Sequence, residues 1–491
     1  MSENQDRRYK GPFGMPKVEI PAAPESDKRF TPGIKTVEEA AREVKVACEA
    51  DVIVVGGGPG GCAAAIAAGR AGARTVLLER YGHLGGMATG GLVNIFPNLS
   101  DIYGKRYIGG ICQEFLDRMM AMNAGMRPDE ECWGSSDPQI IKYFRDSSFG
   151  HFFIRRNEEG KETLLYTTII DPEVGKNELS CMVEEAGVKQ YLHSWVSDVI
   201  MDGNTVKGII FESKSGKQAI LGKVIIDSTG DGDLLPWAGI PTEDNINPLL
   251  RIKHLCFSFW IGGVDFRLYD QFVGTHPDKF NELKKEMAKQ GLHTTMVMRG
   301  LLPNQQNVAW VHPHYHTECQ TDVEEMTRMN IYARNRAVRS WQFWKANIPG
   351  FENSFIQLTA PQVGTTGGRR LIGEYSLVEE DLRRTEPFPD TIAIFPNNDR
   401  DLESLDYSKI YVPYRCLVPK EVEGLLVACR AFSSDDIAND GFNLVPHCMC
   451  FGQAAGNAAA IAVQKGISVR DVPYAELKEK LLAGGAILPE D

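Results

Sequence analysis

The sequence predicts an α/β protein: a parallel sheet plus an antiparallel meander, interrupted by an inserted mixed α+β domain. Three observations predict this. Residues 51–79 run strand, glycine-rich turn, small-residue helix, strand. Three strand-like segments with hairpin punctuation lie between 196 and 227. Far along the chain, after an aromatic-rich stretch, the buried run Leu425-Leu426-Val427-Ala428 and an Ala-rich helix resume the first pattern. A chain that resumes strand and helix so late assembles one domain from separated pieces.

The elements follow in order. Residues 1–45 begin with a polar arm carrying prolines at 12, 16, 21, 24 and 32. Thr36 and Glu39 then have capping-box spacing, which predicts a short helix to about Val44. Asp51–Val55 is a β-branched run suited to a strand buried on both faces. Cys62–Ala71 is the helix, closed by Gly72, and Thr75–Glu79 the next strand. Helical periodicity returns at Ile111–Asn123 and Asn177–Ala186. Val196–Ile200, Thr205–Glu212 and Gln218–Asp227 read as strands joined through Asp202-Gly203-Asn204 and Ser215-Gly216. A long helix spans Asp322–Lys345, another Gly452–Lys465, and a terminal helix follows Asp471. The domains are therefore 1–45, an arm and short helix; 46–244 and 426–491, two parts of one nucleotide-binding domain; and 245–425, the inserted substrate domain.

Composition excludes several classes. The chain has 491 residues, a net charge of −12, and 22 Phe, 15 Tyr and 7 Trp. Those aromatics can build a large core, so disorder is excluded. The acidic balance counts against nucleic acid, which needs a basic footprint. No run of 18 apolar residues suggests a membrane span, and the first residues lack the apolar stretch of a secretory signal. Eleven scattered cysteines without C-x-x-C exclude a thioredoxin-type redox pair and common zinc spacings, and fit reduced thiols in a cytoplasmic protein. The extended arm is compatible with a homo-oligomer.

The turn Gly56-Gly57-Gly58-Pro59-Gly60-Gly61 sits between strand and helix. Gly56 makes the tight turn, Gly58 lets a pyrophosphate approach backbone N–H groups, and Gly61 lets the helix pack on the strand. Glu79 ends the next strand, where a carboxylate accepts from ribose hydroxyls and repels a 2′-phosphate; this favours FAD or NAD over NADP. Three further segments favour the longer cofactor, FAD. Arg80 leads into the loop carrying Gly85, Gly86, Met87, Ala88 and Thr89. The strand ending at Asp227 runs into the turn Thr229-Gly230-Asp231. Gly452-Gln453-Ala454 is read as opening a helix whose positive end faces the flavin. An NAD-dependent dehydrogenase, or a non-catalytic flavin-binding partner, remains an alternative here. No second G-x-G-x-x-G follows a strand, so electrons come from a small-molecule substrate and leave to oxygen or an external acceptor.

Together, Val54–Gly61, Leu78–Gly91, Asp227–Asp233 and Leu425–Ala460 resemble the FAD-dependent oxidoreductases of the glutathione-reductase-like two-dinucleotide-binding-domain superfamily. More narrowly, Arg369-Arg370-Leu371-Ile372-Gly373-Glu374-Tyr375 with Gly452–Gly456 resembles the bacterial FAD-dependent oxidoreductase family, over about residues 46–466. The resemblance implies a Rossmann-like domain holding non-covalent FAD. It also implies contacts from Val196, from Arg430 to the cofactor phosphate, and from Asp436 to the ribityl hydroxyls. The chain departs from the family pattern at Gly364–Gly368, Gly441–Asn443 and Pro446-His447.

Five residues are candidates for the chemistry. His447, placed by the resemblance near the flavin ring, has a pKa range suited to abstracting a proton from an alcohol or amine. Arg369 and Arg370 can fork onto a carboxylate. Tyr375 can donate a proton. His314 belongs to His312-x-His314-x-His316, which alternates along a strand-like segment; Pro313 and the lack of a spaced carboxylate argue against metal there. The expected reaction is hydride transfer from a CH–OH or CH–NH carbon of a small polar molecule to flavin N5. Reduction of a C=C bond in an unsaturated acid or enone is the alternative.

Overall fold

The computed structural model describes residues 36–147, 150–157, 159–293, 298, 299, 302, 305–317, 319–396 and 409–490. The proline-rich arm, residues 1–35, lies outside them.

The α/β reading holds. The strand β1 (Val52–Val55) leads through the glycine turn into helix α1 (Pro59–Arg70) and strand β2 (Thr75–Leu78). Strands β3 (Lys189–Tyr191), β4 (Val224–Asp227) and β5 (Leu425–Val427) complete a parallel sheet in the order β5-β4-β1-β2-β3. Val52 pairs with Thr75 on one side and Val224 on the other, and Ile225 pairs with Leu425. All four residues of β1 are buried, as its apolar run requires of a strand covered on both faces.

Trp195–Asp202, Thr205–Ser213 and Gly216–Leu221 form the antiparallel meander. The single strand read over Gln218–Asp227 is two: Gly222 and Lys223 separate the last meander strand from β4. Residues 36–44, assigned by the capping-box pattern to a short helix, form none. The segment has no apolar face in contact with a partner (Val37 is 94% exposed) and is too short to offset helix nucleation. Glu39 instead pairs with Lys217 at 2.9 Å, and Lys45–Glu49 extends the meander parallel to Gly216–Leu221.

Helix α2 (Val445–Lys465) crosses α1 at very close range. A Cβ on Gly452 would overlap the Gly60 carbonyl oxygen, and one on Gly456 the Ala64 oxygen. Small residues on both helices thus let the C-terminal helix seal the first one.

The inserted part has its own aromatic core around Phe257, Phe259, Trp260, Trp310 and Trp344. It is built on short strands, among them His254–Cys256, Phe259–Gly262, Ala309–Val311 and His314–His316, and on the helix Val323–Asn347. Packing does not follow the sequence boundaries at 245 and 425. Leu92, Ile95, Phe153 and Ile169 join this core, while Leu377, Phe395 and Val412 join the core of α1 and α2. No helix of the described residues is long and apolar enough to cross a membrane.

Candidate cofactor and substrate site

The glycine turn divides its labour. Gly56 adopts φ +97°, and a side chain there would press on the Ser228 carbonyl. Gly58 is the N-cap of α1, with Pro59 as the first helical residue; a Cβ on Gly58 would meet nothing within 4 Å. Open space therefore lies before the first N–H groups of α1, where positive dipole and free donors favour an anion. Gly60 and Gly61 do not line that space. Their missing side chains let α1 pack against the Ala428 and Gly56 carbonyls.

Glu79 is buried beside this turn. Its Oε2 accepts from the Gly57 N–H at 2.6 Å and its Oε1 from the Tyr81 N–H at 2.9 Å. Burial raises its pKa, and the two N–H groups oppose that rise. On the other side, Asp227 closes its own turn, accepting from the Thr229 N–H and hydroxyl and the Leu234 N–H. Asp231 Oδ1 is 2.6 Å from Arg430 Nη2, and the Thr365 hydroxyl donates to Asp231 Oδ2 at 3.2 Å. Arg369 reaches Asp233 at 3.5 Å. Burial, followed by the neighbouring Asp231 and Asp227 charges, pushes the Asp233 pKa up to about 7.

These groups line two cavities that meet. The first, about 370 Å³, is bounded by Gly56, Gly58, Glu79, Asp231 and the start of the helix Val323–Asn347. Arg80, Gly86, Val196, Thr229, Gly230 and Arg369 also line it, and the Arg80 guanidinium lies 5.2 Å from the Trp195 ring. The second, about 260 Å³, is bounded by Pro59, Trp310, His312, His314 and the helix start at Leu444 and Val445. Met87, Thr365 and Arg430 line both. The cleft thus runs from the Glu79 end, past the first turn of α1, to the start of α2.

Several sequence expectations are redirected. Helix α2 begins at Val445, not Gly452, so the positive helix end is carried by Val445–Cys448. Gly452, Gln453 and Ala454 are buried at helix contacts; Gln453 Oε1 accepts from the Ile111 N–H at 3.0 Å. His447 lines neither cavity. Its ring packs 4.2 Å from Phe395 and 5.7 Å from Phe442, and burial pulls its pKa down to about 3. Arg370 is buried away from the cleft, donating to the Ser434 and Asn245 carbonyls. Tyr375 donates to Asp381 at 2.8 Å, outside both cavities. Asp436 accepts from the Asn247 N–H, tying its helix to the inserted part. Ala88 and Thr89 turn into the core, and the Gly85 N–H donates to the Gly57 carbonyl at 2.7 Å. Of the histidine row, His312 and His314 reach the second cavity. His316 faces His254 instead, 5.8 Å ring to ring.

A cradle at Gly58, a carboxylate at Glu79, an acidic turn and a second chamber beside a helix start form a site for an extended dinucleotide. Residues 51–481 match the model of the family described as FAD dependent oxidoreductase. The chain belongs to that family. FAD is the cofactor of this oxidoreductase, and the residues present fit it: the open space at Gly58, before the first N–H groups of α1, suits a pyrophosphate, and the buried carboxylate of Glu79 suits a ribose.

The FAD-dependent oxidoreductase is also similar to solved structures. One is a geranylgeranyl bacteriochlorophyll reductase-like protein from Thermoplasma acidophilum, 13% identical over 89% of this chain and 83% of that one, with a TM-score of 0.43. Another is p-nitrophenol 4-monooxygenase from Pseudomonas putida DLL-E4, 13% identical over 89% and 84%, TM-score 0.43. A third is an L-amino acid deaminase from Proteus myxofaciens, 15% identical over 90% and 96%, TM-score 0.38. A search of curated proteins gives no match.

Sequence reasoning missed Arg155, Arg251 and Trp310, which line the second cavity. They come from separate parts of the chain and carry no local motif; only the tertiary fold gathers them.

Proposed function

We propose that this FAD-dependent oxidoreductase takes a hydride from a CH–OH or CH–NH carbon of a small polar molecule bound in the second cavity. Bound FAD supplies the two-electron acceptor. The reading is carried by the paired imidazoles of His312 and His314, whose ring centroids lie 4.7 Å apart on the wall of that cavity. Oxidation of an alcohol or amine releases a proton as well as a hydride, and a neutral imidazole takes such a proton. Burial holds the His314 pKa well below the ordinary histidine value, which keeps the ring neutral and also lowers its basicity. The Ser258 hydroxyl bonds His312 Nδ1 at 2.7 Å, and Trp310 stacks on the same ring, fixing its orientation. His312 and His314 thus replace His447 as the proposed proton acceptors.

The test is anaerobic reduction of the flavin-loaded protein by a panel of alcohols, amines and sugars, read in the visible spectrum. Bleaching by one class supports the reading. Flavin bleached only by dithionite and restored by an enone or unsaturated acid replaces it with C=C reduction.

A further inference from the structure

We infer that Trp195 and Trp237 form an aromatic subsite for the adenine ring of FAD at the Glu79 end of the first cavity. The inference rests on the FAD family and not on the oxidation reading.

The chain has seven tryptophans. Trp260, Trp310 and Trp344 are buried and Trp133 and Trp341 half-buried, but Trp195 is 54% exposed and Trp237 38%. A single exposed apolar ring needs no explanation. Here the two exposed indoles are the two that line the first cavity. They reach it from opposite sides of β1. Trp195 opens the first meander strand, beyond β3, and Trp237 ends the short helix Leu234–Trp237 that follows β4. That short helix packs on the strand Trp195–Asp202, which brings the two segments together.

Both indoles are held by their neighbours rather than by a core. The Ser194 N–H donates to the Glu79 carbonyl at 2.9 Å and the His193 N–H to the Tyr81 carbonyl at 3.1 Å, so the chain entering Trp195 is tied to the residue that suits the ribose. His193 takes φ +53° in this turn, a left-handed conformation uncommon for a residue with a side chain. The Arg80 guanidinium carbon lies 5.2 Å from the Trp195 ring and 5.1 Å from the Tyr81 ring, restraining the indole by cation–π attraction. Leu234 and Leu235 are buried and anchor the helix that ends in Trp237.

Glu79 suits a ribose, so the base carried by that ribose enters the same cavity as the two indoles. Every base has a π face, and an indole holds it by stacking without a hydrogen-bond code. The subsite thus gives FAD an affinity that a flavin without adenine does not receive.

The experiment is titration of the cofactor-free full chain with FAD, read by flavin fluorescence, for the natural chain and for Trp195→Ala, Trp195→Phe and Trp237→Ala. A second titration adds ADP and reads tryptophan emission. Each alanine variant is expected to bind FAD about tenfold more weakly, the size of one lost base–ring stack. Trp195→Phe is expected to restore most of the loss, because a ring is kept. ADP is expected to quench the emission of the natural chain, and that of Trp195→Ala less. Unchanged FAD affinity in either alanine variant overturns the two-indole subsite. An equal loss in Trp195→Phe and Trp195→Ala overturns it too, since that marks local distortion and not a lost stack. So does tryptophan emission unmoved by ADP, and this arm needs only the natural chain should a variant fail to fold.

Discussion

Arg430 and Asp231 meet at 2.6 Å where the two cavities join, each side chain about 15% and 14% exposed. Removing one partner of such a pair leaves the other charge buried. Asp231→Ala is therefore expected to destabilise the cofactor-free protein by about 3 kcal/mol, read from urea unfolding. Asp231→Asn, which keeps an acceptor for Arg430, is expected to cost less.

Gly58 and Gly61 separate cofactor binding from packing. At Gly58 a methyl group enters open space, and the backbone (φ −70°, ψ −175°) is ordinary for any residue. Gly58→Ala is expected to leave cofactor-free stability within about 0.5 kcal/mol of the natural chain while weakening FAD binding. Gly61→Ala would drive its methyl into the Gly56 carbonyl, so unfolding at a lower denaturant concentration is expected without FAD. Denaturation curves with and without added FAD distinguish the two.

Asp233 gives the cofactor-free protein a pH dependence of defined sign. Its folded pKa, about 7, lies above the unfolded value of 3.8. Between those values the folded state holds the proton that the unfolded state has released, so stability falls as pH rises through the window and levels off above it. Asp233→Asn is expected to flatten this slope and to raise Tm at pH 8, measured by calorimetry across pH 4–8.

The histidines make opposite predictions. His314→Gln is expected to slow anaerobic flavin reduction by about 10²-fold or more without loss of bound flavin. His447 lies between Phe395 and Phe442 with its pKa near 3. Substitution by Leu is expected to leave the shape of the rate–pH profile unchanged above pH 5. Stopped-flow absorbance at a series of pH values reads both.

The strand–turn–helix–strand unit from Val52 to Glu79 was legible because each of its signals is local: β-branched run, spaced glycines, terminal carboxylate. The start of α2 was misread for a physical reason. Gly452-Gln453-Ala454-Ala455-Gly456 resembles a glycine-rich helix opening, yet its small residues serve the crossing with α1. Pro446, in the first turn, was the better signal, since proline fits where no helical N–H partner is needed. With the helix begun at Val445, His447 falls on a face turned toward Phe395. The cationic wall of the second cavity had no comparable signal, because Arg155 and Arg251 are nearly a hundred residues apart.

The glycine crossing of α1 and α2 also sets when this domain can form. During synthesis, β1 and α1 emerge early, but the α2-facing side of α1 stays uncovered until Gly452 and Gly456 have left the ribosome. Strand β5, which pairs with β4, arrives only shortly before. The nucleotide cradle therefore depends on residues made long after it, and contacts this distant along a chain close slowly. A product truncated before residue 445 would retain the whole Gly56–Gly61 turn and Glu79, yet leave the α2-facing side of α1 open to chaperones and proteases.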